Sequence, residues 1–263
     1  MPVFVVVSCS QPQKSIEIST EDYHNTVDRI TDIMVHDIFS PPVASRIYAY
    51  SNIAAYEVLS SNNDSLQSLR EQYKGLEKFP EKAGDAGINL QLAALVAKME
   101  IGRNLLFSEE NLSVYRDSLY KEWENTNEEE FTKSRDYGLK VAKHLKNWID
   151  KDNYKETRTM PKYSVYSDDP SRWEPTPPSY MDGIEPHWSK VRPFSLDSAS
   201  QFRPEPHPDF SLEKGSEFYA EVMEVYEVKK QMEIDGDDSE EIKIAQFWDC
   251  NPYVSTQRGH LMF

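Results

Sequence analysis

Ser19-Thr20-Glu21-Asp22-Tyr23-His24-Asn25-Thr26-Val27-Asp28-Arg29-Ile30, continuing through Met34 to Ile38, is the stretch on which the fold class turns. Tyr23, Val27, Ile30, Met34 and Ile38 recur at the spacing of one helix face, and Ser19 with Asp22 forms a capping box at the start. Pro41-Pro42 stops this helix and opens the next, because proline cannot continue a helix interior yet suits a first turn. Val43, Ile47, Ala54 and Val58 mark the second stripe, which the Ser60-Ser61-Asn62-Asn63-Asp64 cluster breaks.

The same reading extends to Asn153. Ile88, Leu92, Leu95, Met99 and Leu106 form a third stripe. Ser108 caps a fourth helix with Leu112, Tyr115, Leu119 and Trp123, and Asn127 caps a fifth with Phe131, Gly138, Val141, Leu145 and Trp148. No segment of residues 19–153 sustains a period of two, so the expected class is all-α.

Residues 154–210 break the pattern. Nine of the 16 prolines lie between Pro170 and Pro208, interleaved with Trp173, Tyr180, Trp188, Phe194 and Phe202. Exposed linkers are poor in aromatics, so this composition predicts a long ordered loop laid over the helical core, of the kind that walls or covers sites. From residue 211 helices resume, first along Phe218 or Tyr219, Val222 and Tyr226, then from Ser239 toward Trp248. The turn Asp235-Gly236-Asp237-Asp238 between them lacks the oxygen spacing of a calcium loop and reads as solvated.

Composition narrows the partners. A formal net charge of −16 over 263 residues, with no clustered Lys/Arg patch, argues against nucleic acid and against an anionic membrane surface. Two cysteines, Cys9 and Cys250, cannot build a disulfide framework or a thiolate metal site. Cys9 follows the apolar run Phe4-Val5-Val6-Val7-Ser8, an order that resembles a bacterial lipobox, although no Lys or Arg precedes it. Residues 1–18 are then a signal remnant and tether, Cys9 a lipidation site, and residues 19–263 an extracytoplasmic helical domain whose membrane association is through lipid alone. The apolar ending Leu261-Met262-Phe263 reads as a truncation before a missing C-terminal half.

There is no Gly-rich phosphate loop, no Gly-x-Ser-x-Gly elbow and no His-Glu-x-x-His pair. The six histidines are scattered, with His24 and His144 expected at the surface and His36 at a core edge. The Glu128-Glu129-Glu130 run suits a helix N-terminus without any catalytic role.

Four segments remain: Trp173-Glu174-Pro175-Thr176-Pro177-Pro178-Ser179-Tyr180, Gly183-Ile184-Glu185-Pro186-His187-Trp188, Val191-Arg192-Pro193-Phe194, and Phe247-Trp248 with Gly259-His260. In order and content they resemble the vanadium-dependent haloperoxidase branch of the type 2 phosphatidic acid phosphatase superfamily, its lipoprotein-like bacterial members above all. The resemblance implies an all-α multi-helix bundle of the vanadium haloperoxidase and acid phosphatase type. It also implies vanadate as cofactor, or phosphate as substrate, and a small-molecule substrate.

In that family the oxyanion pocket comes from Lys-x6-Arg-Pro, Pro-Ser-Gly-His and Ser-Arg-x5-His segments, because a trianion needs Arg forks, a Lys charge and histidines for bonding and proton transfer. None of the three occurs here. Seven residues before Arg192 and Arg203 stand Glu185 and Leu196, and neither Ser45-Arg46 nor Ser171-Arg172 has the required histidine. No catalytic residue and no metal ligand is therefore assigned to this chain. His187, Trp188, Arg192 and His260 remain as candidate walls of a pocket completed elsewhere. The competing expectations are a lipid-anchored glycan-binding protein that stacks sugars on Trp173, Tyr180 or Trp188, and a helical interaction module without a small ligand.

Overall fold

In the computed structural model, described for residues 14–248 except 62, 64, 78, 80–86 and 178–179, the chain divides into two compact units, Met1–Lys155 and Glu156–Phe263. All regular structure among the described residues is helical, as the sequence pattern implies. Cys9, Cys250, Arg258, Gly259 and His260 lie outside the described residues.

The first unit contains α1 (Thr20–His36), α2 (Pro41–Ser60), α3 (Leu90–Leu105), α4 (Glu109–Thr126) and α5 (Glu128–Ile149), and the short α6 (Tyr154–Thr157) crosses the boundary. The capping box of α1 forms in full, and the side chain of Asn127 accepts from Glu130 N at the start of α5. Asn89 caps α3 in the same way, accepting from Leu92 N.

α3 is the centre of this unit, packing chiefly against α2 and α5 and also touching α1 and α4. Its residues from Leu92 to Met99 are all buried, so the stripe expected from Ile88, Leu92, Leu95 and Met99 is a helix surrounded on every side. Gly138 allows the approach of α5. A Cβ at that position would lie 2.5 Å from the Ala93 carbonyl oxygen and 2.9 Å from Val96 Cβ.

Three sequence expectations change here. Ile38 is not part of the first stripe: α1 ends at His36, Ile38 takes a left-handed φ of 56° and its side chain is exposed, while Ile33 is buried instead. Ser108 occupies the N-cap of α4 but makes no side-chain cap bond, because its Oγ donates to Asp37. The core also takes in Ile16, assigned to the tether of residues 1–18. Ile16 N donates to Glu130 Oε2 at 2.8 Å, Asn89 Nδ2 donates to Ile16 O at 2.7 Å, and the side chain packs with Leu92, Val96, Trp123 and Phe131.

In the second unit, the described residues of 158–216 are irregular apart from a 3-10 turn at Trp188–Lys190, followed by α7 (Glu217–Asp235) and α8 (Glu240–Trp248). Ser216 caps α7 by accepting from Tyr219 N, and Gly236 at φ 73° ends it. The stripe expected to bury Phe218 or Tyr219, Val222 and Tyr226 stays open, since neither α7 nor α8 buries a residue. A helix pattern specifies an apolar face without specifying what covers it.

Candidate functional site

The proline- and aromatic-rich segment is held by contacts of its own. Arg158 Nη1 donates to Glu185 Oε1 at 2.9 Å and Nη2 donates to Oε2, a two-pronged guanidinium–carboxylate pair spanning 27 residues. His187 Nε2 donates to the Pro161 carbonyl at 2.6 Å. Tyr163 OH donates to the Trp173 carbonyl at 3.0 Å, and the two rings meet edge to face with centroids 5.6 Å apart. Gly183 lets the chain pass close to Tyr163, because a Cβ there would lie 3.3 Å from Tyr163 Cβ.

These contacts shape a groove lined by Tyr163, Trp173, Met181, Asp182, Gly183, Ile184 and Pro186. The nominated His187, Trp188 and Arg192 do not line it. Trp188 begins the 3-10 turn, and Arg192 is partly buried beside it in sequence. Of the aromatic rings in this segment, Trp173 is 50% exposed, Tyr180 63% and Phe202 77%, whereas Trp188 and Phe194 are half-buried.

The remaining histidines do not converge. His24 is exposed, His36 is exposed beside Asp37, and His207 bonds the neighbouring Pro208 carbonyl. His144, expected at the surface, is partly buried, with Nε2 donating to Glu77 O at 3.0 Å and its ring edge-on to Phe79. Among the described residues no group of three or more His, Cys, Asp or Glu side chains is placed to hold a metal ion.

The first unit buries charge that local sequence does not reveal. Arg46 Nε donates to Asp152 Oδ2 at 2.7 Å, and Tyr50 OH donates to the same oxygen at 2.9 Å. The partners of the ion pair are 106 residues apart, so no spacing rule links them. Lys98 is buried with no hydrogen-bond partner for its Nζ among the described residues. Burial pulls its pKa down to about 7, against the opposing charge of Asp28.

No family model matches the chain, and no curated protein matches it. A solved structure described as a bacterial vanadium-dependent iodoperoxidase does: it is 56% identical, with a TM-score of 0.89. The match covers 93% of this chain and 59% of that chain, so the present chain spans under two thirds of the relative's length.

The described residues do not fit a bound vanadate. An oxyanion of that charge needs several cations free to face it. Here Arg46 has only its Nη groups left over from Asp152, Lys146 and Lys155 share Asp150, and His187 is committed to a backbone carbonyl. No reaction step is therefore derived through vanadate on these residues. In its all-helical fold and in more than half of its aligned residues, the chain is similar to that vanadium-dependent iodoperoxidase.

Proposed function

We propose that the protein to which this chain contributes is a vanadium-dependent haloperoxidase that oxidises halide with hydrogen peroxide, and that this chain supplies helical framework. The observation that carries the reading is the 56% identity to a vanadium-dependent iodoperoxidase over 93% of the chain. The oxyanion-binding segments then belong to a further part of the protein, and the 263-residue chain has no turnover alone. Bound vanadate would supply the centre at which peroxide is activated toward halide. Acid-phosphatase chemistry is the related alternative within this reading, because five-coordinate vanadate resembles the transition state of phosphoryl transfer.

In this reading His187, Trp188, Arg192 and His260 wall the completed pocket, and Cys9 carries a lipid that holds the protein outside the cytoplasm. No helix among the described residues is long and apolar enough to cross a membrane.

Two proteins test the proposal: the chain alone, and a chimera joining it to the remainder of the solved iodoperoxidase. With vanadate, peroxide and iodide, the chimera is expected to form triiodide and the chain alone to form none. Triiodide from the chain alone overturns the framework role, and a folded, vanadate-loaded chimera without activity overturns the haloperoxidase reading.

A second reading has its own support. The openness of Trp173 and Tyr180 favours a sugar-stacking surface, which predicts that oligosaccharides quench tryptophan fluorescence in the chain but not in a Trp173→Ala variant.

A further inference from the structure

A cavity of about 220 Å³ lies in the first unit. Ile101, Leu105, Leu106 and Phe107 wall it from the end of α3, and Ile149 walls it from the end of α5. Arg46, only 7% exposed, lines the same cavity.

The setting of Arg46 commits its Nε and leaves its two Nη groups unused. Nε is committed to Asp152, whose other oxygen accepts from Tyr154 N at 2.9 Å. The guanidinium carbon lies 4.9 Å from the Tyr50 ring centroid and 4.3 Å from that of Tyr154, so aromatic faces hold the group in place. Nη1 and Nη2 make no hydrogen bond among the described residues, yet neither is among the sealed, unpartnered nitrogens. They are donors of a chamber whose apolar wall is Ile101, Leu105, Leu106, Phe107 and Ile149 and whose polar wall includes Asn104, Lys146, Asp150, Asp152 and Lys155. A guanidinium with two such nitrogens matches the two oxygens of a carboxylate.

Charge and size narrow the ligand. Arg46, Lys146 and Lys155 face the cavity against Asp150 and Asp152, and three cations less two carboxylates leaves one positive charge. That balance suits a monoanion and not a phosphate dianion. A cavity of about 150 Å³ takes benzene, so this one accommodates an apolar ring or short chain together with a carboxylate.

We propose that this cavity binds a small monocarboxylate with an apolar body. The carboxylate lies on the Nη fork of Arg46, and the body packs against Ile101, Leu105 and Phe107. An inorganic anion would use the fork and leave the walls bare. A neutral apolar molecule would use the walls and leave the fork unpaired.

Calorimetric titration of the 263-residue chain with benzoate tests the site. One benzoate per chain is expected, with a Kd of about 1 mM or below. Benzyl alcohol, which keeps the ring without the charge, is expected to bind about tenfold more weakly or worse. Leu105→Trp fills the chamber without touching the Arg46–Asp152 pair and is expected to weaken benzoate by about tenfold or more. Absence of benzoate binding, equal binding of benzyl alcohol, or unchanged benzoate affinity in folded Leu105→Trp overturns the proposal. Should that variant fail to fold, the comparison of benzoate with benzyl alcohol on the unaltered chain decides.

Discussion

The Nζ of Lys98 lies 3.6 Å from the centroid of the Tyr23 ring, so a buried ammonium of α3 rests on an aromatic face of α1 in place of a hydrogen bond. Tyr23 is itself fixed there by its hydroxyl, which donates to Asn52 Oδ1 of α2 at 2.5 Å. The ring quadrupole recovers part of the cost of removing the charge from water, and burial still lowers the pKa to about 7.

Stability should therefore rise with pH above neutrality. Because the folded pKa of Lys98 is depressed below its unfolded value of about 10.4, the unfolded chain binds more protons between those two values. The penalty is full below pH 7 and is relieved as pH climbs toward 10. Tyr120, raised by burial to about 12, and Tyr23, also raised by burial, act in the opposite sense, but only as pH reaches the ordinary tyrosine value near 10. Denaturant unfolding at pH 7 and near pH 10 should differ by on the order of a few kcal/mol, and Lys98→Met should flatten the rise. An equally steep rise in Lys98→Met would refute the assignment to this residue.

Asp37 ties the end of α1 to the start of α4 by accepting from Phe107 N at 3.0 Å, from Ser108 N at 2.9 Å and from Ser108 Oγ. Burial favours the neutral acid, but the bonds from Ser108, with those from His36 and Phe107, prevail and hold the pKa below the ordinary carboxylate value. A depressed folded pKa contributes stability above the unfolded value of about 3.9, and that contribution is lost as pH falls through the folded value. Asp37→Ala should cost about 1–3 kcal/mol at pH 7, with a cost that shrinks as pH falls below the ordinary carboxylate value, measured by denaturant unfolding. A cost that stays constant into acid would show that the carboxylate charge is not what matters.

Gly138→Ala sets helix propensity against packing. Alanine is the better helix former by about 1 kcal/mol, yet its methyl would meet the Ala93 carbonyl at 2.5 Å, and backbone yields less readily than a side chain. Forcing α5 from α3 should win, with a net loss of about 1–3 kcal/mol and a lower melting temperature. A stabilised Gly138→Ala would mean that α5 can shift away from α3 at little cost.

The helix ends were largely legible because their causes are local. Ser19 with Asp22, Pro41 and Asn127 act within a turn of the residues they cap, so their types and spacing suffice. Ser108 has the same local signature, but Asp37, 71 residues away, captures its hydroxyl. Ile38 fits the periodicity of α1 and still falls beyond the helix, in a left-handed turn.

The candidate site was less legible. His187 and Arg192 stood out in the sequence, whereas the groove is lined by the neighbouring Ile184 and Pro186 together with Tyr163 and Trp173. Arg46, in the Ser45-Arg46 pair, carries no sign of burial in the sequence, because its partner Asp152 lies beyond the three intervening helices α3, α4 and α5.

Periodicity and short-range capping chemistry were enough to establish a helical chain and the order of its main helices, while the resemblance to haloperoxidases rests on the proline- and aromatic-rich segments from Trp173 to Phe194 and on Phe247-Trp248 with Gly259-His260. Tertiary packing alone decided that α3 is enclosed on every side, that Lys98 and Arg46 are buried, and that the apolar face of α7 is open. The division has one physical source. Caps and amphipathic periods depend on residues a few positions apart, whereas burial and charge pairing depend on segments that only folding brings together.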